Sequence, residues 1–130
     1  MSKKSSTKYL YGAALLVVIV LIVFVIVQKS GPSRYDQFAQ CLTDKGVKMY
    51  GAWWCPHCTK QKALFEGGFG KVTYVECSLP NRAMNQLCKD EKIEGYPTWE
   101  FSDGTRRSGE ISLEDLAKRS ACELPVNESL

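Results

Sequence analysis

Histidine is nearly absent from this chain: His57 is the only one. That excludes a histidine-rich metal site and any acid–base pair built on two histidines. The cysteines form a single CxxC, and Cys77 and Cys88 have ten residues between them, so the second CxxC of a zinc site is missing. There are no internal repeats and no low-complexity tract, which excludes a repeat architecture. Net charge is also absent where it would matter for nucleic acid. From Lys29 onward there are 14 basic and 14 acidic residues, and the overall +3 comes from Lys3, Lys4 and Lys8. Binding to nucleic acid needs a basic face on the folded part, so no such partner is expected.

Charge is missing altogether from Leu10 to Val27, an apolar run of 18 residues. As a helix it would span about 27 Å, against roughly 30 Å for the hydrocarbon core of a bilayer. Secretion signals have shorter apolar regions and a small-residue cleavage site. Here Val25-Ile26-Val27-Gln28-Lys29 follows instead, with Ser30-Gly31 only a weak cleavage candidate, so an uncleaved anchor is favoured. A buried core helix fits poorly because the run has no polar face. Three lysines precede the run, while Lys29 and Arg34 follow it, which places the N-terminus in the cytoplasm by the positive-inside rule. Six cysteines in so short a chain point to an oxidising compartment for the remainder. The expected organisation is a basic cytoplasmic N-terminus (1–8), a transmembrane anchor (9–28), a linker (29–34), one extracytoplasmic domain in the periplasm or an equivalent lumen (35–123) and a flexible tail (124–130).

Within the domain, Tyr35, Phe38, Ala39 and Leu42 recur at helical spacing until Gly46. Val47 to Ala52 reads as a strand that is apolar on both faces, of the kind found mid-sheet under helices. Pro56 then opens a helix expected to run through Lys60, Ala63, Leu64 and Phe65 to Gly67-Gly68. Val72 to Cys77 reads as a strand, and Asn81 to Lys89 as a helix through Met84, Leu87 and Cys88. Thr98–Ser102 and Thr105–Glu110 read as a hairpin turning at Asp103-Gly104. Ser112 caps a last helix with Glu114 and Asp115 in its first turn and Leu113, Leu116 and Ala117 along it. A strand–helix–strand unit implies parallel pairing, and the hairpin adds antiparallel strands. The expected class is therefore α/β with a mixed sheet flanked by helices.

The chemistry concentrates in Trp54-Cys55-Pro56-His57-Cys58. A nucleophilic cysteine must be a thiolate, and an ordinary thiol holds its proton at neutral pH. Cys55 stands at a helix N-terminus, whose unpaired N–H groups and partial positive charge favour the anion. Cys55 is thus the expected nucleophile. Cys58, one turn further on, is the expected resolving thiol. A cationic or donor imidazole at His57 would stabilise the Cys55 thiolate and make the disulfide more oxidising. Potentials of such pairs range from about −270 mV in a reductant to about −120 mV in a strong oxidant. A structural Cys55–Cys58 bridge is disfavoured, because so short a loop stabilises little. No cofactor beyond the redox-active pair is expected. Gly95-Tyr96-Pro97-Thr98 is a second signal, 39 residues after Cys58 and just before a strand. Taken alone, Pro97 reads as trans, since cis is the minority state of X-Pro bonds.

Together, the strand, Trp54-Cys55-Pro56-His57-Cys58, the helix and Ile93-Glu94-Gly95-Tyr96-Pro97-Thr98 resemble the thioredoxin superfamily. Within it, residues 35 to 122 look most like the thioredoxin-like domain associated with bacterial and plant vitamin K epoxide reductase homologues. The stretches that carry the likeness are Phe38-Ala39-Gln40-Cys41-Leu42, Met49-Tyr50-Gly51-Ala52-Trp53-Trp54-Cys55-Pro56-His57-Cys58, Gln61-Lys62, Tyr74-Val75-Glu76-Cys77, Gly95-Tyr96-Pro97-Thr98-Trp99 and Leu116-Ala117. The resemblance implies a thioredoxin-like fold, a cis Pro97, catalysis by Cys55 and Cys58 with Pro56 and His57, and substrate contact at Trp54, Tyr96, Pro97 and Thr98. It implies cysteine-containing secreted or membrane proteins as substrates. It also implies a membrane quinone reductase of the vitamin K epoxide reductase type as electron acceptor, met as a separate chain. One departure is Met49, which stands where many thioredoxins carry a buried acid six residues before the first cysteine. That departure argues against a general disulfide reductase.

With Cys55 and Cys58 set aside, three pairings of the other four cysteines are left. Cys41–Cys122 with Cys77–Cys88 is favoured, since the first bridge would tie the first helix to the end of the last. The alternative role for Cys77–Cys88 is a second relay pair. Two other functions compete with the oxidative one: a membrane-tethered reductase or isomerase, as in cytochrome c maturation, and a non-enzymatic binding module on the same scaffold.

Overall fold

The computed structural model describes residues 3–29 and 31–126. Met1, Ser2, Ser30 of the expected linker and 127–130 of the expected tail lie outside the described residues. The chain divides into two units, one ending at Pro32 and the other beginning at Ser33.

The first unit is a single helix, α1 (Lys3–Lys29). Its segment Lys8–Val27 is long and apolar enough to cross a membrane, with a mean hydropathy of 3.3. The helix extends beyond the expected anchor at both ends, through the residues expected as a basic N-terminus and on to Lys29. Nothing in 3–29 breaks a helix, since the run has no proline and Gly12 is its only glycine.

The second unit is a mixed α/β fold. In order it has α2 (Asp36–Asp44), β1 (Lys48–Gly51), α3 (Pro56–Ala63), a 3₁₀ turn (Gly68–Lys71), β2 (Thr73–Glu76), α4 (Gln86–Asp90), β3 (Thr98–Glu100), β4 (Arg106–Ser108) and α5 (Leu113–Ser120). The sheet order is β2-β1-β3-β4. Strands β1 and β2 are parallel, with Gly51 opposite Glu76, while β3 is antiparallel to β1 and to β4. Successive residues of β1 point to opposite faces of the sheet, and each face has its own core. Met49 joins Phe38, Leu42, Phe65, Trp99 and Leu116 on one side, whereas Tyr50 joins Cys77, Cys88 and Ile93 on the other. Phe65 anchors the larger core, stacked on Phe38 at 5.9 Å and on Trp99 at 6.4 Å. Gly46, at φ 75°, turns the chain from α2 into β1, a left-handed conformation that costs other residues more.

All four strands are shorter than the sequence reading by two or three residues, and larger departures occur in α3, before α4 and at Leu124. Helix α3 ends at Ala63 rather than at Gly67-Gly68, because Glu66 and Gly67 adopt positive φ (47° and 96°) and turn the chain into the 3₁₀ segment. Asn81–Met84 is not helical. Arg82 sits at φ 65°, and Met84 forms a bridge with Ser78. Asn85 then caps α4 by accepting a hydrogen bond from the Cys88 N–H at 3.0 Å, so the helix starts at Gln86. Leu124, expected in the tail, packs against the larger core.

Ser112 caps α5, accepting from the Asp115 N–H at 3.1 Å. Two disulfides close the unit, Cys41–Cys122 and Cys77–Cys88, with sequence separations of 81 and 11. A cross-link stabilises chiefly by restricting the unfolded chain, more for the longer loop. Replacing Cys41 and Cys122 by alanine is expected to lower the unfolding free energy by roughly 4–5 kcal/mol, and replacing Cys77 and Cys88 by roughly 3 kcal/mol. Chemical denaturation of the full chain in detergent micelles reads both losses, and a larger loss for the shorter loop would contradict the loop-entropy account.

Candidate functional site

The end of β1 leads directly into the CxxC. The Cys55 N–H donates to the Ala52 carbonyl at 3.0 Å, closing the Trp53–Trp54 turn, and the Thr59 N–H donates to the Cys55 carbonyl at 3.1 Å, starting α3. Cys55 is the N-cap residue, with φ −80° and ψ 120°, and Pro56 takes the first helical position. A proline there gives up an N–H that has no helical partner anyway. The first turn of α3 contains no acidic residue of its own.

Both sulfurs are free thiols, but they are not equivalent. Cys55 keeps 6% of its surface and Cys58 only 1%. Cys55 Sγ lies 3.7 Å from the Tyr96 carbonyl oxygen, which brings the loop before β3 against the CxxC. The Tyr96–Pro97 peptide of that loop is cis. Burial pushes the Cys58 thiol up to about 11; the neighbouring Cys55 adds to this, and the Ala52 backbone and Lys62 oppose it. At neutral pH Cys58 is therefore held as a thiol.

The other expected site residues fall around this pair. Trp54 is partly exposed, packs edge-on against Tyr96 at 6.2 Å and donates from Nε1 to Ser78 Oγ at 2.7 Å. Trp53 is more exposed still, with the Arg82 guanidinium 5.6 Å from its ring. Pro97 and Thr98 are buried, and the Thr98 hydroxyl bonds to the Gly95 carbonyl and to Ser108 Oγ, both at 2.8 Å. Thr98 thus secures the loop, and its side chain is not presented to a substrate. His57 is exposed, and its Nδ1 lies 2.6 Å from Glu110 Oε1. The imidazole expected to serve Cys55 is thereby engaged by a carboxylate from the segment that follows β4.

Several residues given no role in the sequence analysis complete the site. A Cβ placed at Gly51 would lie 2.9 Å from Cys58 Sγ, 2.9 Å from Tyr74 Cε2 and 3.0 Å from Tyr74 Oη. The thiol and the phenol therefore both border the space that this glycine leaves empty. Tyr74 donates to Glu76 Oε2 at 2.9 Å, and the Lys62 ammonium lies 3.6 Å from the centre of the Tyr74 ring. Glu76 Oε1 in turn accepts from the Trp53 and Ser78 N–H groups, at 3.2 and 2.9 Å. Gln61, fully buried, bonds both ways with the Ile111 backbone, at 2.9 and 2.7 Å, and fastens α3 to the segment carrying Glu110. The i, i+4 spacing of His57 and Gln61 explains why one helix face meets the consecutive residues Glu110 and Ile111. The period of two in Tyr74-Val75-Glu76 was the available signal for the other group, since it puts the phenol and the carboxylate on one face. Among the described residues, no group of three or more His, Cys, Asp or Glu side chains is placed to hold a metal ion.

The chain is 41% identical over 92 residues to a protein named thiol-disulfide oxidoreductase LTO1 from Arabidopsis thaliana, a match covering 66% of this chain and 24% of that protein. It is 31% identical over 96 residues to the thioredoxin domain-containing protein 5 homolog of Drosophila melanogaster, covering 62% of this chain and 22% of that protein. The chain thus spans less than a quarter of the length of these two relatives. No protein-family model matches it. Among solved structures it is similar to oxidised glutaredoxin 2 from Chlamydomonas reinhardtii, with 21% identity, a TM-score of 0.40, and coverage of 68% of this chain and 94% of that one.

The glycine contact yields a test. Gly51→Ala forces a methyl group against Cys58 and Tyr74 and is expected to destabilise the fold by roughly 1–3 kcal/mol. Gly70→Ala, where nothing lies within 4 Å, serves as the control and should change stability by no more than about 0.5 kcal/mol. Equal effects in denaturant titrations would refute the close packing.

Proposed function

We propose that this chain is a membrane-anchored thiol–disulfide oxidoreductase with a thioredoxin-like fold, acting on cysteines of extracytoplasmic proteins. The observation that carries the reading is the asymmetry of the pair. Cys55 caps a helix whose first turn carries no acidic residue, and its sulfur meets the Tyr96 carbonyl, whereas Cys58 is sealed behind it as a thiol. One sulfur is built to meet a partner and the other to complete or reverse the exchange. The names of the two relatives, a thiol-disulfide oxidoreductase and a thioredoxin domain-containing protein, support the same chemistry.

In the oxidative direction a substrate thiolate attacks Cys55 Sγ of the Cys55–Cys58 disulfide. The intramolecular S–S bond breaks and a mixed disulfide forms, with Cys58 as leaving group. A second substrate thiolate then attacks the substrate sulfur of the mixed disulfide and releases Cys55. The substrate gains a disulfide, and two electrons and two protons remain on the enzyme as the dithiol. A quinone reductase of the vitamin K epoxide reductase type is the proposed acceptor of those electrons. The Trp53, Trp54 and Tyr96 surface around Cys55 is the proposed seat of the substrate chain. The apolar character of Lys8–Val27 and the lysines before it support anchoring with the N-terminus in the cytoplasm and the redox unit outside. Stable disulfides at Cys41–Cys122 and Cys77–Cys88 fit such a compartment.

Cys58→Ala removes the resolving sulfur and should leave Cys55 locked in mixed disulfides, visible as adducts on non-reducing gels of membranes. Cys55→Ser should abolish the adducts. Failure to capture any disulfide-linked partner would count against the exchange reading. A potential of the Cys55–Cys58 couple close to about −270 mV would count against its oxidative direction.

A further inference from the structure

The exchange just described moves a proton as well as electrons, and the proton on Cys58 needs a path. Cys58 is 1% exposed, so bulk water has little access to its sulfur. Two oxygens lead away from it in order. Tyr74 Oη borders the same Gly51 gap as the sulfur, and Glu76 Oε2 accepts the Tyr74 hydroxyl at 2.9 Å. Because Tyr74 spends its proton on Glu76, its own lone pairs are open to the thiol. Glu76 is only half-buried, so its carboxylate can exchange protons with solvent.

We propose that Tyr74 and Glu76 form the proton relay of Cys58, with Tyr74, whose hydroxyl borders the same gap as the sulfur, as the group that takes the proton and Glu76 as the positioning residue and terminal acceptor behind it. When Cys58 attacks the mixed disulfide at Cys55, its proton passes to Tyr74 Oη as the Tyr74 proton passes to Glu76 Oε2. The Cys55–substrate bond breaks, the Cys55–Cys58 bond forms, and the substrate leaves as a thiolate. When a substrate opens the Cys55–Cys58 disulfide, the same atoms run in reverse and Cys58 departs as a thiol. No electron is carried by the relay, so the redox balance is that of the exchange alone. The proposal rests on the redox reading of Cys55 and Cys58 and assigns the proton that this reading leaves without a route.

The surroundings suit a neutral relay. Burial, then the bond to Glu76, pushes the Tyr74 phenol far above its ordinary range, so Tyr74 stays protonated and acts only by passing one proton on as it takes another. The charged and titratable groups bearing on Cys58 come from every side of it: Cys55 from the turn, Lys62 from α3, Tyr74 from β2 and Tyr96 from the loop before β3. Of these, Lys62 favours the thiolate, and it sits over the ring of Tyr74. Glu76 also holds the N–H groups of Trp53 and Ser78, so the acceptor is fixed to the same turn that carries Cys55.

The test is single-turnover exchange of the reduced full chain, in detergent, with a fluorescent peptide disulfide. The first thiol released reports attack by Cys55, and the second reports resolution by Cys58. In Tyr74→Phe, which keeps the ring and loses only the hydroxyl, the first release should be unchanged. The second should slow by on the order of a hundredfold at neutral pH, with the deficit shrinking as pH rises and hydroxide takes over the proton. Glu76→Gln should show the same split and the same pH trend. An unchanged second release in Tyr74→Phe overturns the relay, and so does a deficit that does not vary with pH. If the unaltered chain forms no mixed disulfide at all, the redox reading itself fails, and the two failures are thereby distinguished.

Discussion

The close approach of helix α3 to the β1–β2 pair at Gly51 is the constraint on which the site depends. A side chain at that position would collide with both Cys58 and Tyr74. Its absence lets the first turn of the helix settle onto the sheet, which drives Cys58 out of water while Cys55, three residues earlier, stays at the helix mouth. Burial then does the electrostatic sorting. An anion is disfavoured in the interior, so the Cys58 thiol is held well above its ordinary pKa. Cys55 sits at the positive end of a helix dipole whose first turn carries no acidic residue. Two chemically identical side chains thus acquire different roles from a difference of one helical turn.

Around this pair the fold supplies support at some distance from the sulfurs. The bonds of Gln61 to Ile111 and of His57 to Glu110 fasten α3 to the segment that leads into α5. The hydroxyl of Thr98 ties the loop of Tyr96 to Gly95 and Ser108. At the far end of the sheet, Glu100 lies among Lys48 and Arg106. Burial would raise its carboxyl pKa, but these two cations outweigh that and hold it below the usual carboxylate range. Arg106 also reaches Glu91 just past α4, so β1, β3, β4 and the end of α4 share one ionic cluster. The two disulfides act on the unfolded chain rather than on the site, a role suited to a unit of about a hundred residues.

Much of this was legible in the residues, because the informative signals were local. The apolar run, Pro56 at a helix start, Ser112 as a cap and Asp103-Gly104 as a turn each act within a few residues of chain. Met84, Leu87 and Cys88 have helical spacing, which predicts a helix over Asn81–Lys89, although only the second half is helical. The positive φ of Arg82 and the cap at Asn85 decide the boundary. Helix α3 is shorter than its pattern predicts for a similar reason, since Leu64 and Phe65 continue the spacing while Glu66 and Gly67 leave it. At the site, Cys55 and Cys58 could be found by spacing alone. Tyr74, Glu76 and Glu110 could not, because they reach the site through sheet register and an ion pair across 53 positions of chain. Met49 points to a missing acid, and a carboxylate stands instead on the neighbouring strand as Glu76, bonded to Tyr74.

The central claim is that one sulfur meets the partner while the other is sealed behind it as a thiol. Timed alkylation of the reduced full chain with iodoacetamide at neutral pH, followed by peptide mass mapping, measures this directly. The account predicts that Cys55 is modified first and that Cys58 reacts only much later or at strongly alkaline pH. Modification of Cys58 at the same rate as Cys55, or ahead of it, would contradict the account.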